Sequence, residues 1–89
     1  MVDVKSILEE RAKTHGKFED VASASQELKR TLQNRAEKKL NTSQIEALEN
    51  IAQKMARIIC GNPDEPDHWR DIAGYATLVV NELERKCDL

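Results

Sequence analysis

Apolar residues recur at spacings of three and four along almost the whole chain, and nowhere do β-branched residues alternate with polar ones as a half-buried strand requires. That pattern confines the chain to the all-α class. It is interrupted at Gly16, in the polar stretch "RAEKKLNTS", and in "GNPDEPD", whose two prolines stop one helix from running into the next. Three interruptions predict four helices. With 89 residues the chain is long enough for one small domain and too short for two, so residues 1–89 are expected to form a single four-helix, bundle-like unit.

The first helix is expected from about Val4 to Thr14, with Val4, Ile7, Leu8 and Ala12 inward and Gly16 as the residue that ends it. The second begins between Phe18 and Asp20 and continues to about Arg35. Its inner face is Phe18, Val21, Ala22, Ser25, Leu28 and Leu32, and Glu27, Lys29, Arg30 and Gln33 face solvent. Leu40 is the only large apolar anchor of the polar stretch that follows. Ser43 and Glu46 have the S-x-x-E spacing of a capping box, which starts the third helix; Gly61 ends it. Its apolar face is Ile45, Leu48, Ile51, Ala52, Met55 and Ile59. The fourth starts between Asp64 and Asp67 and runs to about Lys86, with Ile72, Ala76, Val79 and Leu83 on its buried side. The short loop makes helices three and four an antiparallel pair.

Leu, Ile, Val and many Ala supply the core, with one Phe, one Trp and one Tyr, so the area buried per residue is modest. Small cores of this kind gain stability from a partner subunit. Gly74, in mid-helix, costs about 1 kcal/mol against Ala and points to a close helix contact. Both features lead to an expected homo-oligomer, a dimer or tetramer. The formal charge of −2, with acids and bases interspersed, lacks the basic stripe that nucleic-acid binding needs. No run approaches the roughly 20 apolar residues of a membrane span, and "MVDVKSILEE" lacks the order of a signal peptide. The expected setting is the bacterial cytoplasm, with Cys60 and Cys87 as reduced thiols.

Four acids have spacings that suit chemistry. Glu46 and Glu49 are three apart and roughly 60° apart around a helix, and Asp67 and Asp71 are four apart on the next. Carboxylates converging from two helices suit a hard cation such as Mg²⁺, or Mn²⁺, which can clamp phosphate oxygens and activate water. The alternative is structural: Glu46 as a capping residue, and Asp67 as a first-turn acid favoured by the helix dipole. Lys54 and Arg57 fall on the exposed half of helix three and either meet phosphates or are simply solvated. His68 is on the apolar side of helix four, as a ligand or a satisfied core histidine, and His15 favours a helix end. Trp69 and Tyr75 suit either a nucleobase or the core.

The runs "ILEERAKTHGKFED", "EALENIAQKMARIICG" and "DHWRDIAGYATLV" together resemble a family of small phage and prophage proteins of uncharacterised function. More loosely, the chain is similar to the all-α nucleoside triphosphate pyrophosphohydrolases, the MazG-like superfamily, which hold Mg²⁺ with ExxE on one helix and ExxD on the next. The resemblance implies that Glu46, Glu49 and Asp71 are metal ligands. His68 stands where the second motif has Glu, so Asp67 or His68 would complete the shell, with Lys54 and Arg57 on the nucleotide's phosphates. The implied activity is Mg²⁺-dependent pyrophosphohydrolysis of a nucleotide. The second reading, from a different class, is a non-catalytic helical protein that binds a host or phage partner.

Overall fold

The computed structural model describes residues 3–36 and 39–87. It consists of α1 (Val4–His15), α2 (Phe18–Ala36), α3 (Thr42–Cys60) and α4 (Pro66–Cys87), and no strand occurs among the described residues. None of these helices is long and apolar enough to cross a membrane. The all-helical expectation therefore holds, with four helices close to the expected bounds.

α3 is the centre of the molecule. α2 and α4 each pack along it without touching one another, and α1 lies against α2 and α3. The array is accordingly open and elongated, 51 × 27 × 25 Å. Because α3 has neighbours on two sides, its most deeply buried residues are small: Ala47, Ala52 and Ala56. Alanines here let both neighbouring helices approach α3. Met55 and Ile59, expected inside, are exposed, as are Val4, Ile7, Leu8 and Phe18. The reason is geometric, since one helix in an open array cannot cover a stripe that wide.

An ion pair and a polar proximity place α4 on α3. Lys54 Nζ is 3.1 Å from Asp71 Oδ2. Near the other end of the pair the Ser43 hydroxyl, and after it Lys86, hold the Glu82 carboxyl below its ordinary pKa. In antiparallel helices a step forward on one is a step back on the other, so both describe the same register. The α4 residues turned to α3 are His68, Ile72, Tyr75, Val79 and Glu82, spaced as one helical stripe. Leu83, expected on the buried side, is exposed instead, and Ala76 is exposed at the edge of that side, where it lines a hollow with Leu48 and Ile51 of α3.

The start of α3 differs from the expected one. Asn41, not Ser43, is the N-cap: its Oδ1 accepts from Gln44 N–H at 2.8 Å and Gln44 Oε1 accepts from Asn41 N–H at 2.9 Å. Both spacings satisfy a capping box, but only the earlier one puts Leu40 before the cap and Ile45 at the fourth helical position, the arrangement of a hydrophobic staple. Those two side chains line one hollow between α2 and α3. Ser43 is left free to face Glu82.

Candidate functional site

The turn that joins α1 to α2 packs against the turn that joins α3 to α4. Gly16 adopts φ +90°, a region that strongly favours glycine, and a Cβ there would lie 2.5 Å from the Cys60 carbonyl oxygen. A Cβ on Gly61 would lie 2.4 Å from the Thr14 carbonyl oxygen. Two backbones meet here with no room for a side chain. The Thr14 carbonyl, left without an intrahelical partner at the end of α1, accepts from Asn62 N–H at 2.9 Å and faces His68 Nε2 at 3.1 Å. A carbonyl only accepts, so Nε2 carries the proton. His68 is 2% exposed.

This bond spends the Nε2 proton of His68 on Thr14 and leaves Nδ1 as the only ring nitrogen that can carry a lone pair. The His15 ring lies 5.2 Å from that of His68, tilted by 53°. Burial lowers the pKa of His15, and the positive charges of Arg57, His68, Lys54 and Arg11 lower it further.

The acids singled out by the resemblance are dispersed. Glu46 is exposed and accepts from Asn50 Nδ2 at 3.0 Å. Glu49 lines the hollow on the α2 side of α3, with Leu32 and Gln33. Asp71 is on the α4 side, occupied by Lys54. Given the register set by that pair, Glu49 lies level with Ala76, about a turn and a half of helix from Asp71. Asp67 pairs with Arg70 at 2.7 Å on an exposed turn. Among the described residues no three His, Cys, Asp or Glu side chains are grouped to hold a metal.

The two aromatics of α4 serve different surfaces. Trp69 is 54% exposed and donates its Nε1–H to the Pro63 carbonyl at 2.8 Å, fastening the first turn of α4 to the loop. Tyr75 belongs to the stripe turned to α3. Lys54 is not on a solvated face as expected: its side chain is 13% exposed, held between α3 and α4. Arg57 lines a cleft formed with α1 and α2. Cys60 is a free thiol, and the side chain of Cys87 lies outside the described residues.

Two surfaces escaped the motif search. One is a lateral face of α4, about 100° around the helix from the stripe turned to α3, where Trp69, Ala73, Ala76, Val80 and Leu83 are all exposed and Ala76, at its border, also edges a hollow with Leu48 and Ile51 of α3. Their spacing of four, three, four and three is legible in the sequence once the inner stripe is known. The other is the cleft containing Arg57, whose cations come from three helices and carry no local signature. No protein-family model, curated protein or solved structure matches the chain.

Proposed function

We propose that the chain acts as a non-catalytic, self-associating helical interaction protein, in which the exposed lateral face of α4 pairs with the same face of a second copy. The observation that carries this reading is the exposed seam of Trp69, Ala73, Ala76, Val80 and Leu83, which has the spacing of a helix that packs against another helix. A Cβ on Gly74 would meet nothing within 4 Å, so the close contact expected at this glycine is not made within the chain; Gly74 lies about 140° around α4 from the seam and bears on a different face.

Area supports a partner. A 10.1 kDa chain folded as a compact monomer has an accessible surface of about 5,300 Å². This one has 6922 Å². The excess, about 1,600 Å², is within the range that one subunit of an obligate homodimer covers. Charge supports the second copy as that partner. Arg70, Thr77 and Glu84 flank the seam one heptad apart, so antiparallel pairing of α4 about a two-fold axis near Thr77 sets Arg70 of each copy against Glu84 of the other.

Mg²⁺-dependent pyrophosphohydrolysis of a nucleotide is the competing proposal. It requires Glu46, Glu49 and Asp71 to converge on a cation, and it draws its support from the motif resemblance alone. Light scattering at tens of micromolar tests the preferred reading. Wild type should show about twice 10.1 kDa, and the double variant Val80→Lys, Leu83→Lys should fall to the monomer mass. Arg70→Glu should weaken the dimer and Arg70→Glu with Glu84→Arg should restore it. A wild-type monomer at that concentration overturns the reading.

A further inference from the structure

A cleft of about 550 Å³ lies between α1, α2 and α3 on the side away from α4. Its walls carry Arg11 from α1, Lys17 from the turn, Lys29 from α2 and Arg57 from α3, with His15 at the edge. Glu19 is the only acid lining it. None of the four cations forms an ion pair among the described residues, although the chain as a whole is acidic by two charges. Four unpaired cations converging from three helices repel one another, and a cleft with apolar walls concentrates their field. His15 responds to that field: after burial, Arg57 is the largest cause of its lowered pKa, and Arg11 contributes too.

The remaining lining is apolar. Leu8 and Phe18 stand at the opening, 57% and 75% exposed, over Ala12, Val21 and Ala22. A small inorganic anion would satisfy the cations and leave this surface wet, and a neutral apolar molecule would leave the cations unpaired. We infer that this cleft binds a small organic anion with an apolar body, of the aryl or alkyl phosphate class. The anion meets Arg11, Arg57 and Lys29 while the body covers Leu8 and Phe18. The site is separate from the α4 face, so its failure and that of the self-association reading are distinguished by which measurement fails.

Calorimetry with 2-naphthyl phosphate as the probe, beside 2-naphthol and inorganic phosphate, tests this. Naphthyl phosphate should bind at least about tenfold tighter than either fragment, because only it engages both halves of the cleft, and its affinity should fall with added salt. Lys29→Gln with Arg57→Gln should weaken it by about tenfold or more while helix content and melting temperature stay unchanged. If that variant is poorly folded, Lys17→Gln in the turn with Lys29→Gln on α2 replaces it with the same expectation. Equal binding of naphthol and naphthyl phosphate overturns the inference. So does undiminished binding by the folded variant, or no binding to wild type at millimolar probe.

Discussion

The two ends of the His68–Leu83 segment of α4 are opposites. At His68 the chain closes on itself: the Gly16 and Gly61 backbones touch, and the Thr14 carbonyl is satisfied twice over. Toward Leu83 a lateral face of the same helix is apolar and open. Shape and hydrogen bonding fix the first end, and almost nothing within the chain covers the second. A small chain with an alanine core thus gains its internal order where backbones meet, and leaves much of its apolar surface exposed.

The largest break in that contrast should come at the tight end. Gly61→Ala places a methyl group against the α1 backbone, which cannot give way as a flexible side chain would, and should cost about 3 kcal/mol or more of stability by chemical denaturation. The equivalent methyl at Gly74 meets nothing, so Gly74→Ala should stabilise the helix by up to about 1 kcal/mol unless a partner helix sits there.

His68→Ala should be next in size. It removes a buried ring and one of the two donors facing Thr14, and a loss of about 2 kcal/mol is expected in the same denaturation experiment.

A smaller effect comes from pH. Because the His15 pKa is lowered in the folded chain, the unfolded state binds the proton more readily. Its contribution to stability is therefore full above the ordinary value of 6.5 and declines as the pH falls below it. Melting temperatures across that range should drop for wild type and less for His15→Gln.

The smallest expected effect is that of metal. With Asp71 paired to Lys54 and Glu49 on the other side of α3, millimolar Mn²⁺ should raise the melting temperature no more in wild type than in Glu49→Gln. A clear rise confined to wild type, accompanied by nucleotide hydrolysis with Mg²⁺, would favour the pyrophosphohydrolase proposal instead.

Much was legible in the residues themselves. Apolar spacing, Gly16, Gly61 and the two prolines determine four helices and their approximate ends, because helix propagation and termination depend on local chemistry. The start of α3 is legible only approximately: Ser43 and Glu46 have the spacing of a capping box, yet the cap is Asn41 with Gln44, a choice that turned on where Leu40 and Ile45 could meet. The acids at 46, 49, 67 and 71 had suggestive spacing, but spacing on one helix fixes only relative angle. Tertiary structure decided which face α4 turns toward α3, and so left Leu83 outside, set Ala76 at the edge and brought Lys54 to Asp71. It also decided that Arg11, Lys29 and Arg57 share a cleft, and that His68 reaches Thr14 across a separation of 54 residues. Such contacts depend on how rigid helices pack in three dimensions, and a one-dimensional pattern records the angle of each side chain about its own helix without recording what lies opposite it.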